Sequence, residues 1–271
     1  VTPTLVVLAA GLGTVVGWAM TVPVHRYKEL RPKTPRDLAA EVGGPDAPPV
    51  VIRAEYRHAR CPSCHHGYRP TDVVPVLSWR RGCPECGRRL PATVLLLQVG
   101  VPAAMALTVS VWSNPWVALP FLWLVTVLAA VAVIDLRIWL IPWWMPWVGA
   151  AVGLALIGAV SVGVGEPRAF VRALVGGVAL FTLFAALWFA APGKLGFGDV
   201  RLAFLLGVFL AWVDPVLPAY GLAFGGVLGI VLGVGMSLAR RGRGFPFGPA
   251  LALGALAAVW LHGPILERLA A

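Results

Sequence analysis

The chain has 271 residues, of which 59% are apolar and 13% charged, with 22 Lys and Arg against 12 Asp and Glu and a formal net charge of +10. Soluble globular domains carry about a quarter charged residues, and disordered chains are poor in apolar ones, so both classes are excluded. A mean hydropathy of +0.82 leaves an all-α, polytopic membrane bundle, and the basic excess then marks cytoplasmic loops, with lipid and not nucleic acid as the surrounding partner.

The first apolar run, residues 4–24, is long enough to span a bilayer and has no basic stretch ahead of it. It is expected to be a retained helix and not a signal peptide. The polar segment 25–91 follows, and residues 23–91 hold thirteen of the basic and seven of the acidic residues. A segment so short and rich in proline cannot build a large core and needs a staple. All four cysteines lie in it, as Cys61-x2-Cys64, eighteen residues, then Cys83-x2-Cys86. That is zinc-ribbon spacing: two thiolate pairs on tight turns supply the corners of a tetrahedral Zn²⁺ site. Pro62 and Pro84 limit the chain inside each turn. The alternative is two disulfides, which an oxidising compartment would favour. A closed four-sulfur site has no open position, so the metal would be structural. His65 and His66 come next and are expected in solvent or behind the ligands. The 27–57 stretch carries no readable function.

Further spans are expected near 92–112, 116–134, 141–163, 169–191, 200–213, 216–238 and 247–265, about eight with the first. Alternating their loops puts 19 basic residues on the side of the large loop and three on the other. The positive-inside rule makes the large loop cytoplasmic. Trp139, Trp143, Trp144 and Trp147 read as an interfacial belt. Gly221, Gly225, Gly229 and Gly233 share one helix face and predict close helix packing.

Beyond residue 91 there are five carboxylates, Asp135, Glu166, Asp199, Asp214 and Glu267. Glu166, Asp214 and Glu267 fall in outer loops or the tail. Asp135 and Asp199 fall at the cytoplasmic membrane boundary, where an ionisable group is costly and marks function. Two carboxylates meeting at low dielectric share one proton. The ionised member can take a proton from water while the protonated one polarises a carbonyl. Gly196 and Gly198, just before Asp199, would let an extended peptide approach the backbone. The same residues admit other readings. Asp199 could pair with Lys194 or Arg201 and Asp135 with Arg137, or the two could relay ions in a transporter or channel.

These residues resemble a known family, the type IV prepilin peptidases, leader peptidases of the GxGD aspartic class. The likeness runs through the cysteine tetrad with Asp72-Val-Val-Pro-Val-Leu-Ser-Trp79 inside it. It continues through Ile134-Asp135-Leu136 with Leu140-Ile141-Pro142, Gly196-Phe-Gly-Asp199-Val-Arg-Leu202 and Phe245-Pro-Phe-Gly-Pro249. The resemblance implies a multi-pass endopeptidase of the bacterial inner membrane. It would cut the basic leader from prepilins and pseudopilins at the cytoplasmic face, with Asp135 and Asp199 as the catalytic pair. The implied organisation is a first span (1–24), a zinc-stapled loop (25–91) and a peptidase core (92–271). Many members also methylate the new N-terminus from S-adenosylmethionine, and those usually carry the tetrad; a peptidase alone is the alternative. Two positions depart from the family. Gly17-Trp18-Ala19-Met20-Thr21 stands where members have a Gly-Ser-Phe-x-Asn-like run before His25-Arg26, and Trp143 stands where an acidic residue often follows Ile-Pro. A presenilin-like protein would share GxGD but end in Pro-Ala-Leu.

Overall fold

The computed structural model describes residues 2–25, 59–61, 63–193, 195–240 and 246–270. The expectations for Arg26, the 27–57 stretch, Pro62, Lys194, Arg241, Arg243 and Phe245 lie outside them. Among the described residues there is no strand, only an isolated bridge between Arg60 and Gly67.

The chain order is α1 (Pro3–Val24), a 3₁₀ turn (Pro70–Val73), the short α2 (Leu77–Arg81) and α3 (Ala92–Ser110), which carries one π turn over Leu96–Gly100. Then come α4 (Pro115–Ile138), α5 (Trp144–Gly163), α6 (Pro167–Ala190) and α7 (Phe197–Val213). The chain closes with α8 (Leu217–Arg240), α9 (Gly248–Trp260) and α10 (His262–Ala270). Helix starts are legible locally. Proline occupies the first helical turn of α1, α4, α6 and α9, where its missing N–H costs nothing. Asn114 caps α4 by accepting the Trp116 N–H at 3.0 Å.

Each expected span is matched by a helix, but six of the eight are long and apolar enough to cross a membrane. The other two, α7 with 17 residues and α9 with 13, rise only ~25 and ~20 Å at ~1.5 Å per residue, against a ~30 Å hydrocarbon core. They are the interior helices, and most of their residues are buried. Boundaries also move. α4 runs on to Ile138, past the end expected near 134, so Asp135, expected to end the third span, sits in the last turn of the helix. It stops at Trp139, whose φ of +60° forms a left-handed cap with its N–H on the Asp135 carbonyl at 2.9 Å. The next helix starts at Trp144, leaving 140–143 as a non-helical link with a buried Pro142.

Small residues bring the interior helices together. A Cβ on Gly207 of α7 would stand 2.9 Å from the Gly177 Cα of α6 and against the Gly176 carbonyl. One on Gly254 of α9 would run into the Gly225 backbone of α8. Three of the four glycines in the stripe expected on α8 pack: Gly221 lies on Leu210 and Ala255, Gly225 on Ala250 and Leu251, and Gly229 on Phe247. The opposite side of α8 exposes Val227, Ile230, Val231 and Val234, an apolar face suited to lipid. Trp143, Trp144 and Trp147 are exposed near the start of α5, as an interfacial belt requires. Arg172 donates from Nε to the Ala211 carbonyl at 2.7 Å and from Nη2 to that of Val213 at 2.8 Å, closing the C-terminus of α7 with a cation.

Candidate active site and metal centre

The four thiols converge. Their sulfurs lie within 4.8 Å of one another, with Cys61–Cys86 at 3.7 Å and Cys64–Cys83 at 3.6 Å. A disulfide needs about 2.05 Å, so none is formed. Four sulfurs ~2.3 Å from a central ion have tetrahedral edges of about 3.8 Å, so the donor set fits a metal such as Zn²⁺. Two matching turns produce the convergence. Cys61 N–H donates to the His66 carbonyl and His65 N–H to that of Cys61, at 2.9 and 3.0 Å. Cys83 N–H donates to the Arg88 carbonyl and Gly87 N–H to that of Cys83, at 2.8 and 2.9 Å. The residue after each second cysteine takes a left-handed φ, +59° at His65 and +66° at Gly87. His65 is therefore exposed turn backbone. His66 holds the two halves together, with Nδ1 3.1 Å from Glu85 and Nε2 3.4 Å from Asp72.

The loop is docked on the ends of the spans. Trp18 Nε1 donates to the Pro70 carbonyl at 2.9 Å, and Trp79 Nε1 to Gln98 Oε1 at 2.6 Å. The buried Gln98 sits in the π turn of α3 and donates to the Val73 carbonyl at 2.6 Å and to Thr21 Oγ at 3.4 Å. Gly17 lets α3 pass, because a Cβ there would strike the Leu97 carbonyl. The stretch that departs from the family pattern thus carries the docking contacts. Gln98 was missed in the sequence, although a lone amide in an apolar span is a readable signal.

His25, one residue past α1, is buried between Thr21 and Thr93. The Thr21 carbonyl 2.7 Å from Nδ1 only accepts, so Nδ1 carries the proton and Nε2 accepts the Thr93 hydroxyl at 2.8 Å. Burial, reinforced by the Arg137 charge, pushes its pKa from 6.5 down to about 3. The unfolded chain takes up this proton near pH 6.5 and the folded one does not, so stability falls as pH drops from 6.5 toward 3. Thermal unfolding followed over that range should decline less steeply in His25→Gln, and parallel curves would remove His25 as the cause.

The surroundings of Asp135 and Asp199 converge on Ile141: Gly248, which holds Asp135, and Gly198, beside Asp199, both pack on it. Asp135 is 5% exposed, in the last turn of α4, and its Oδ2 accepts the Gly248 N–H of α9 at 2.9 Å. Asp199 is half-buried in the first turn of α7, with its N–H on the Gly196 carbonyl at 3.0 Å. A Cβ on Gly196 would stand 3.2 Å from Asp199 Oδ2, so this backbone lies against the carboxylate. Ile141 sits between the other two glycines, 3.0 Å from where a Gly198 Cβ would be and 3.4 Å from that of Gly248. Arg201 lies over the Phe197 ring, 4.7 Å from its centroid, and forms no ion pair with Asp199. Arg137 donates to the Val24 carbonyl at 3.4 Å, tying α4 to the end of α1.

Fold and site define a multi-pass helical membrane protein with a cluster of four cysteines and two aspartates, one in the last turn of α4 and one in the first turn of the shortened α7. The sequence profile of the bacterial peptidase A24 N-terminal domain matches residues 12–113. A prepilin leader peptidase/N-methyltransferase of Pseudomonas putida is 32% identical over 94% of this chain and 90% of its own length. Its counterpart in Aeromonas hydrophila is 32% identical over 90% and 87%. A type 4 prepilin-like proteins leader peptide-processing enzyme of Escherichia coli O78:H11 (strain H10407 / ETEC) is 30% identical over 94% of both. No solved structure matches. The chain belongs to the type IV prepilin peptidase family.

Proposed function

We propose that this protein removes the basic leader from prepilin or pseudopilin precursors by an aspartate dyad, Asp135 and Asp199, at the cytoplasmic face of a bacterial inner membrane. The observation that supports it best is that the Gly248 backbone holding Asp135 and the Gly198 backbone before Asp199 converge on Ile141, beside a chain left free of side chains at Gly196 and Gly198. One carboxylate, ionised, takes a proton from water as the oxygen attacks the scissile carbonyl carbon. The other, protonated, gives its proton to the carbonyl oxygen. The tetrahedral intermediate then collapses, the C–N bond breaks and the leaving amine takes a proton from the dyad. Side-chain-free backbone at 196 and 198 suits an extended peptide, and the apolar helix of the precursor would lie in the bilayer with its basic leader outside. The division into a first span (1–24), a loop (25–91) and a peptidase core (92–271) follows from the same reading. Zn²⁺ held by Cys61, Cys64, Cys83 and Cys86 keeps the loop folded and takes no part in the chemistry.

The names of the Pseudomonas and Aeromonas relatives also include N-methyl transfer. Methylation of the new N-terminus from S-adenosylmethionine is therefore the second activity to look for. Intact-mass analysis of a prepilin-like substrate, incubated with the purified protein and S-adenosylmethionine, reads both. A product shortened at the leader junction is expected, and an added methyl would reveal the transferase. Uncut substrate together with ion flux in proteoliposomes would replace this reading with an ion relay.

A further inference from the structure

We infer that Gly248 is a positioning residue whose backbone N–H holds the Asp135 carboxylate by one oxygen and leaves the other free to face the scissile peptide. The inference rests on the reading of Asp135 as a catalytic residue. Gly248 opens α9, so its N–H has no partner within the helix and lies at the positive end of the helix dipole. Pro249 follows and has no N–H to offer. The carboxylate thus meets one donor where most helix starts present several, and among the described residues it is held through Oδ2 alone, at 2.9 Å. The contact is buried, joins residues 113 apart and links two different helices.

Only glycine allows it. A Cβ at 248 would stand 2.6 Å from Asp135 Oδ2 and 3.3 Å from Cγ, so any other residue pushes the carboxylate off the donor. The donor is also fixed in place. Phe247, one residue earlier, rests on α8, where a Cβ on Gly229 would be 2.6 Å from its ring. Ile141 packs between Gly248 and Gly198, so the segment before α9 and the segment before Asp199 bear on one side chain. The segment from Pro246 to Pro249 therefore has a definite job: it sets the direction in which Asp135 points.

The bond can be read without activity. The sequence has three Phe-Gly steps, at Phe197-Gly198, Phe224-Gly225 and Phe247-Gly248. Labelling Phe with ¹³C at the carbonyl and Gly with ¹⁵N leaves only these amides in a filtered NMR spectrum, and Phe247→Leu identifies the Gly248 signal by its loss. That signal should shift strongly as pH is varied in the wild-type protein and several-fold less in Asp135→Asn, where Asp199 is the one carboxylate of the pair still titrating. A Gly248 signal indifferent to Asp135→Asn overturns the inference. In kinetics, Gly248→Ala should lower kcat by about 10²-fold, since a displacement near 1 Å costs that much, with KM within about twofold. A folded Gly248→Ala with wild-type kcat also overturns it. The two ideas fail separately. If Asp135→Asn cleaves normally while the Gly248 signal tracks Asp135, the catalytic reading falls and takes the positioning role with it. If Asp135→Asn is inactive and the signal does not respond, the positioning role falls alone.

Discussion

Asp135→Asn and Asp199→Asn should each cut single-turnover leader cleavage by about 10³-fold or more, within the range that a lost acid or base produces. Asn has the size of Asp and can still accept a hydrogen bond. At 135 its Oδ1 can take the Gly248 N–H, so the tie between α4 and α9 survives. What it cannot do is give up or take on a proton. A loss of turnover with unchanged zinc content and unfolding temperature therefore isolates proton transfer from packing. The two variants should be equally inactive, and the double variant should lose little more, because groups acting as one unit are strongly non-additive. Substantial cleavage by either single variant would sink the dyad. Full activity of both would return the two aspartates to plain boundary charges, a reading that the Arg201 side chain, lying over Phe197, does not support for Asp199.

Much of this was legible in the chain, for physical reasons that also mark where legibility ends. Spans announce themselves because about 20 apolar residues in a row have no other common use. The thiolate centre was legible because two Cys-x2-Cys pairs encode two matching turns. Asp135 and Asp199 stood out because charge is rare beyond residue 91. Helix ends were harder. Asp135-Leu-Arg-Ile138 carries two charges and looks like a boundary, yet apolar Leu136 and Ile138 let the helix continue until Trp139 takes a left-handed φ. The shortness of α7 and α9 was visible locally: Asp214-Pro215 marks the end of α7, and Gly263-Pro264 follows the end of α9 at Trp260, within the stretch expected as one span to 265. Gly248 was invisible in its role. Its contribution is a backbone N–H, which every residue but proline has, and only the packing of α9 against α4 shows that no Cβ fits. The docking of the loop through Trp79, Gln98 and Thr21 was hidden for a similar reason, because hydrogen bonds between distant segments leave no periodicity.

Stripping the metal should produce the largest loss of stability. Purified protein should contain about one Zn²⁺ per chain, and structural zinc sites contribute on the order of 10 kcal/mol or more to folding. Among its described residues the loop has little else. Its own buried cluster is Ala59, Tyr68 and Val73 with Cys61 and Cys83, two of the proposed ligands. A cluster that small cannot offset the entropy of ordering the segment. A strong chelator, or Cys64→Ser or Cys86→Ser, should therefore open the 59–90 segment to protease while the spans stay helical. The His66 bridge to Asp72 and Glu85 should fail with it, because both halves are held in place by the thiolates. Activity should fall indirectly, since the loop bears on α1 and α3 through Trp18 and Gln98, while the carboxylates stand on α4 and α7. A short peptide substrate that makes no use of the loop should then lose less activity than a full precursor. Metal analysis without zinc and titration without free thiols would instead return the disulfide reading. In that case the charge argument for a cytoplasmic loop would fail as well, because a reducing compartment does not keep such bonds.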